Sequence, residues 1–189
     1  AFEGALAGDP VSPFGGVFIT NENVDEVTAK GIDKIFFEII IAPDFSEEAL
    51  KILKQRKNRM IIRLKSWDLQ GKTVRTVLNG LLVQDRDCII DKSSEAKLVT
   101  KKAPKATEMA DLEFANILVK HTRSNAIILA KNHQLIGIGT GQTSRVDALN
   151  QAIHKASNFG FKTFGAVMAS DAFFPFPDCV EIAYEAGIR

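Results

Sequence analysis

Short apolar runs rich in Ile, Val and Phe alternate with longer amphipathic runs along the chain, and this alternation narrows the fold more than any other feature. It predicts a layered α/β architecture and argues against a helical bundle or a β-sandwich. Strands are predicted over residues 16–20, 34–41, 59–64, 74–83, 125–130, 135–138 and 162–167. Ser46 is placed to cap a helix with Glu47 and Glu48 in its first turn and Lys54, Arg56 and Lys57 at its end, the polarity a helix dipole favours. A longer helix is predicted over residues 107–121, burying Met109, Leu112 and Val119. A third follows Ser144, with Asp147 completing a capping box and Leu149, Ala152, Ile153 and Ala156 inward, and stops before Gly160. A fourth is predicted to begin with Asp178 as its cap and Glu181 three positions on.

The polar stretch 91–105, with Ser93, Ser94, Lys101, Lys102 and Pro104, reads as a connection and divides the chain into residues 1–105 and 106–189. No initiator Met is present, residues 1–7 read as a helical run, and residues 186–189 stop where a helix would hand over to a strand. The chain is therefore expected to be a piece of a longer protein.

Charge and hydropathy exclude several classes of partner. Lys plus Arg number 24 against 23 for Asp plus Glu, and a net charge of +1 gives no electrostatic reason to expect nucleic acid or an anionic membrane. The most apolar stretch, residues 35–42, is far short of the ~20 residues a membrane span requires and carries Glu38. Cys88 and Cys179 lack a CxxC spacing, which speaks against a disulfide scaffold or zinc ribbon and favours a reducing, cytoplasmic setting.

Four segments could carry chemistry. Residues 137–145, Gly-Ile-Gly-Thr-Gly-Gln-Thr-Ser-Arg, form a glycine-spaced turn between a strand and a helix start. Glycines permit close backbone approach to a phosphate, and Arg145 in a first helical turn is disfavoured by the dipole unless an anion lies there. The alternative is a tight strand-to-helix turn without a ligand. Glu38 lies within a strand that reads as buried on both faces, so its carboxylate needs a donor from a ligand or a basic side chain, unless it reaches solvent at a strand end. Residues 120–125, Lys-His-Thr-Arg-Ser-Asn, form a polar seam where Asn125 offers a donor and an acceptor, though loop polarity at a helix end accounts for it equally. In residues 170–178, Phe173, Phe174 and Phe176 are held between prolines and could wall a slot for a flat ligand or serve the core. His121, His133 and His154 show no metal-ligand spacing, and no HxE paired with PCxxC occurs, which disfavours a zinc deaminase.

Taken in order, the motifs SNAIILAKN, GIGTGQTSR and SDAFFPF, with the segment 9–16 (Asp-Pro-Val-Ser-Pro-Phe-Gly-Gly) and Glu38-Ile39-Ile40-Ile41-Ala42-Pro43, resemble the AICAR transformylase domain of the bifunctional AICAR formyltransferase/IMP cyclohydrolase family over nearly the whole chain. The resemblance implies cytidine deaminase-like α/β/α layers without zinc, one subdomain plus part of a second, and a homodimer with active sites at the subunit interface. It implies formyl transfer from 10-formyltetrahydrofolate to the 5-amino group of AICAR in purine biosynthesis. Carried over by position, Gly15, Glu38, Asn125, Arg145 and Phe173 would contact the ribonucleotide, with Arg145 at its phosphate and Asn125 at its carboxamide and amine. Val146, Pro175, Phe176 and Asp178 would line the folate slot, Asp178 pairing with the pteridine. Val119, Thr122 and Asp171 fall where the family can hold a structural monovalent cation such as potassium. Pro177 stands where the family commonly has Arg. The family's catalytic Lys-His pair would lie upstream of Ala1 and its C-terminal His and Arg segment beyond Arg189, so the chain alone is expected to be inactive. A non-catalytic nucleotide-binding or assembly module on the same scaffold is the competing reading, favoured if the complete gene product also lacks the Lys-His pair.

Overall fold

The computed structural model describes residues 1–11, 13–68 and 71–189. Ser12, part of the segment quoted above, lies outside the described residues. The elements run α1 (Phe2–Ala7), β1 (Gly16–Ile19), α2 (Glu26–Asp33), β2 (Phe37–Ala42), α3 (Glu47–Leu53), β3 (Met60–Arg63), β4 (Lys72–Val77), β5 (Gly80–Asp85), α4 (Ala106–Lys120), β6 (Ile127–Lys131), β7 (Gln134–Gly139), α5 (Arg145–Asn158), β8 (Val167–Ser170) and α6 (Asp178–Glu185). Among the described residues no helix is long and apolar enough to cross a membrane.

The chain is α/β and forms two compact units, one of Ala1–Val11 with Ile90–Arg189, the other of Ser12–Ile89. The connection anticipated at 105/106 falls inside the first of these, because α1 belongs with the later strands: the Gln134 side-chain amide donates to the Gly4 carbonyl at 3.0 Å and Lys155 pairs with Asp9 at 2.7 Å.

In the Ser12–Ile89 unit β1, β2 and β3 pair in parallel, in that order, with α2 and α3 as the crossovers that parallel neighbours require. Ser46 caps α3, its Oγ accepting from the Ala49 amide at 3.1 Å. Helix α2 was not anticipated, since Val27, Thr28 and Gly31 are poor helix formers, but the Asp25 carboxylate caps it by accepting from the Thr28 amide at 2.7 Å. Its end takes up Lys34, so β2 begins three residues later than expected. Phe37, Ile40 and Leu53 are fully buried. Beside them the Arg59 guanidinium lies 4.2 Å over the Phe37 ring and donates to Asp33.

The strand expected over 74–83 is a hairpin instead. β4 and β5 pair antiparallel around Leu78 and Asn79, with Leu78 at φ 48° and Gly80 opposite Val77. The Asn79-Gly80 pair is a hairpin signal that the apolar run on either side obscured. Val74 pairs with Val83 and Thr76 with Leu81, and Val74, Leu81 and Val83 each remain more than half exposed.

In the other unit the sheet order is β7-β6-β8, with β6 antiparallel to both neighbours. β6 is buried on both faces, as alternating side chains of a central strand allow. Ile127 and Leu129 meet Ala148, Leu149 and Ala152 of α5 and Cys179 and Ala183 of α6. Ile128 and Ala130 meet Ala115 and Val119 of α4. Helix, sheet and helix thus form three layers. Val119 is buried as expected, whereas Met109, Leu112 and Ile153 are only half-buried. β8 begins at Val167, not near 162, because Gly165 turns the chain at φ 73° just before it. The β6–β7 turn holds Asn132 and His133 both at positive φ, and the buried Asp111 carboxylate secures it by accepting from both of their amides, at 2.9 and 2.7 Å.

Candidate functional site

The glycine turn does not work as its spacing suggests. Gly137 and Gly139 lie in β7 with α5 pressed against them: a Cβ on Gly137 would stand 2.3 Å from the Ala152 carbonyl oxygen, and one on Gly139 only 1.8 Å from that of Ala148. Their function is close packing of strand on helix. Gly141 alone supplies the turn, at φ 64°. The amides that were expected to face a phosphate are already engaged within the chain: Thr140 donates to Gln151 Oε1 at 2.9 Å, Gly141 to the Arg123 carbonyl at 2.8 Å and Gln142 to the Asn125 carbonyl at 3.3 Å.

What remains for an anion is the start of α5. Ser144 caps it as anticipated, accepting from the Asp147 amide at 3.0 Å and donating to the Asp147 carboxylate at 2.7 Å. The amides of Arg145 and Val146 are the first-turn donors that a helix leaves without internal partners. Arg145 is the first helical residue, its side chain only 20% exposed, and its buried Nε has no partner among the described residues. One counter-charge comes from the chain itself, since Arg145 Nη2 is 3.7 Å from Asp171 Oδ2. That separation is an ion pair without a good hydrogen bond, and it leaves the guanidinium's donors available.

Asn125 lies against the same turn. Its side-chain Nδ2 donates to the carbonyls of Gln142 at 3.0 Å and Thr143 at 3.2 Å. Two carbonyls can only face the NH₂ side of an amide, so the orientation is fixed and the Oδ1 is presented as an acceptor. The donor half anticipated for a ligand is therefore already committed.

Asp171, just past β8, binds both neighbours of Asn125: Oδ1 accepts from the Ala126 amide at 2.8 Å and Oδ2 from the Ser124 hydroxyl. Burial opposes its ionisation, but the Ser124 and Ala126 hydrogen bonds and the Arg145 charge together outweigh it and hold the carboxyl below its ordinary 3.8. A depressed folded-state value means that the ionised group stabilises the fold fully above 3.8 and that this contribution is lost as the pH falls below it. The urea midpoint of the wild-type chain should therefore exceed that of Asp171→Asn at neutral pH, and the gap should close as acid is added below that value. A gap independent of pH would mean that the charge contributes nothing.

At the monovalent-cation positions the oxygens already make contacts within the chain. Both Asp171 oxygens are occupied, Thr122 Oγ1 donates to the Leu118 carbonyl at 2.8 Å and the Val119 carbonyl accepts from the Thr122 amide at 3.0 Å. Each of these carboxylate, hydroxyl and carbonyl oxygens keeps a lone pair beyond its hydrogen bond, so Asp171, Thr122 and the Val119 carbonyl would be the groups to hold a monovalent cation, and no step is routed through one. Among the described residues no cluster of three or more His, Cys, Asp or Glu could hold a metal.

The aromatic segment divides. Phe174 packs against the core shared by α5 and α6, while Phe173 and Phe176 stand 78% and 68% exposed, with Pro175 exposed between them. Two outward rings leave a surface where a wall of three was expected. Val146 packs on the same core. Asp178 is the first residue of α6, not its cap: Pro177 occupies the cap position, and Asp178 Oδ1 accepts from the Cys179 amide at 2.7 Å. Burial, reinforced by the Asp178 charge, pushes the Cys179 thiol up and keeps it protonated.

In the other unit Gly15, at φ 71°, donates its amide to the Phe36 carbonyl at 3.1 Å and lies beside Glu38, whose Oε1 would be 3.8 Å from a Cβ built there. Glu38 is exposed although Ile40 and Ala42, on the same face of β2, are buried: it is the second residue of the strand and reaches solvent at the strand end, the alternative named above. Its anticipated need for a buried donor disappears. Sequence reasoning missed Gln151, and it named Ser124 only as part of the 120–125 seam; their partners lie 11 and 47 residues away, beyond any local spacing rule.

The chain is similar to curated proteins along its whole length. It is 60% identical to the bifunctional purine biosynthesis protein PurH of Bacteroides thetaiotaomicron, 51% to that of Thermoanaerobacter sp. and 48% to that of Aquifex aeolicus, each over 188 residues. All of this chain is covered in each case, but only 37%, 36% and 37% of the relatives, so the chain spans little more than a third of their length. The model of the AICARFT/IMPCHase bienzyme family matches residues 1–155. By that match the chain belongs to the AICARFT/IMPCHase bienzyme family.

Proposed function

We propose that this chain carries much of the ribonucleotide-binding surface of a folate-dependent formyltransferase of purine biosynthesis, working in the cytoplasm as part of a homodimer. The observation that carries the reading is the pairing, around one turn, of a mostly buried Arg145 at a helix start with an Asn125 whose oxygen is presented as an acceptor. Arg145 and the first amides of α5 suit a phosphate, and Asn125 Oδ1 suits an N–H of the AICAR amine or carboxamide. Accepting from the amine would aim its lone pair at the formyl carbon of 10-formyltetrahydrofolate. The new C–N bond forms as the bond to N10 breaks, the amine losing a proton and tetrahydrofolate gaining one. Phe173 would meet the nucleotide base, Val146, Pro175 and Phe176 would border the folate, and Asp178, with one oxygen engaged by Cys179, would accept from the pteridine. By the resemblance, Gly15 and Glu38 would contact a ribonucleotide as well.

Calorimetric titration with AICAR ribonucleotide and with its dephosphorylated nucleoside tests this. The phosphate should contribute at least tenfold in affinity, the scale of charge-assisted hydrogen bonds at about 1.5–3 kcal/mol. Equal affinities would remove the reading. The 189-residue polypeptide alone should form no tetrahydrofolate, because general acid–base assistance worth roughly 10²–10⁴ would come from the family's Lys-His pair.

A further inference from the structure

We propose that Asp171 is the positioning residue of this site, setting Asn125 and Arg145 in fixed relation so that one ribonucleotide can meet both. The inference rests on the nucleotide reading above and assigns Asp171 a part in it that no contact with substrate requires.

The geometry is a clamp made from distant sequence. Asp171 bonds the residues on either side of Asn125, through the Ala126 amide at 2.8 Å and the Ser124 hydroxyl, and its own amide donates to the Ala126 carbonyl at 3.4 Å. The backbone carrying Asn125 is thereby held from both flanks. The same carboxylate faces Arg145 at 3.7 Å. Asn125 is also tied to the turn before α5 through Gln142 and Thr143, so Asp171, Asn125 and the start of α5 form a closed circuit of contacts. A carboxylate next to the cation that binds an anionic ligand competes with that ligand, which is costly unless it provides something else. Holding the acceptor at a set distance from the guanidinium is what the contacts offer.

Competition and positioning have opposite signatures. The full chain and its variants are titrated with inorganic phosphate and with AICAR ribonucleotide. In Asp171→Ala, phosphate affinity should hold or tighten, because a competing carboxylate is gone, while ribonucleotide affinity falls by roughly tenfold, the loss of a charged hydrogen-bond clamp. Asp171→Asn can still accept from Ala126 and bond Ser124, and should bring the ribonucleotide back to within about threefold of wild type. Ser124→Ala, a milder change, should weaken the ribonucleotide about threefold and leave phosphate unchanged.

Parallel loss of both ligands in Asp171→Ala would mark a role in the fold alone, and parallel tightening a role as competitor alone. Either outcome, or an asparagine variant no better than alanine, overturns the proposal. Should Asp171→Ala fail to fold, Ser124→Ala decides by the same split. A wild-type chain that does not distinguish nucleotide from nucleoside would instead remove the parent reading.

Discussion

Gly139→Ala should lower the melting temperature of the chain by roughly 5–15 °C or prevent folding outright, the consequence of an overpacking penalty of about 3 kcal/mol or more spread over a small unit. The added methyl would sit 1.8 Å from the Ala148 carbonyl oxygen and 2.5 Å from its carbon, atoms of a helix backbone that cannot rotate away as a side chain tip would. β7 and α5 must separate, and the Leu149 and Ala152 contacts with Ile127 and Leu129 open with them. Gly137→Ala meets the Ala152 carbonyl at 2.3 Å and should behave alike, less severely. Gly80→Ala is the control: the nearest heavy atom to its added Cβ is the Val77 carbonyl oxygen at 3.9 Å, and its stability should change by no more than about 0.5 kcal/mol, as for an ordinary surface change. Thermal denaturation followed by circular dichroism reads all three. If Gly139→Ala melts with the control, the strand and helix are not packed as described.

Arg145→Gln should weaken AICAR ribonucleotide by about 10- to 100-fold and leave the dephosphorylated nucleoside unchanged. Glutamine retains length and polarity but neither the charge nor the fork of donors, so the loss isolates the anionic end of the ligand. Arg145→Lys should fall between, since a point charge cannot reproduce a planar pair of donors. Among the described residues the guanidinium's buried Nε has no partner and Asp171 lies 3.7 Å from Nη2, so removing it disturbs few native contacts and the melting temperature should change little. Both ligands weakening together would place the phosphate elsewhere.

Local rules made some of this legible and distance hid the rest. Ser46 with the Ala49 amide, and Ser144 with Asp147, obey spacings of three residues, and both helices start where the sequence says. The Ala-Ile-Ile-Leu-Ala run marks a strand in the sequence, and the structure shows it buried on both faces. By contrast, the packing of Gly137 and Gly139 depends on which residues of a helix arrive opposite them, and no glycine spacing distinguishes a ligand's approach from a helix's. The run around Glu38 does bury both faces at Phe37, Ile40 and Ala42, but Glu38 itself lies near the strand's start, and where a strand begins is not fixed by the apolar pattern. Asp178 sat beside a proline that took the cap position from it. Arg145 and Asn125 were visible as candidates, but the carboxylate that joins them, Asp171, reaches the Asn125 backbone through Ala126, 45 residues earlier in the chain.

The return of α1 to the later strands sets a clock on biosynthesis. Asp9 cannot meet Lys155 until 146 further residues have been made, which at 5–20 residues per second is roughly 7–30 s. Throughout that interval α1 has no β7 to rest on, whereas β1, β2 and β3 can pair as soon as they leave the ribosome. Within this chain maturation should therefore proceed from the parallel strands outward, with α1 among the last of the described elements to find its partners.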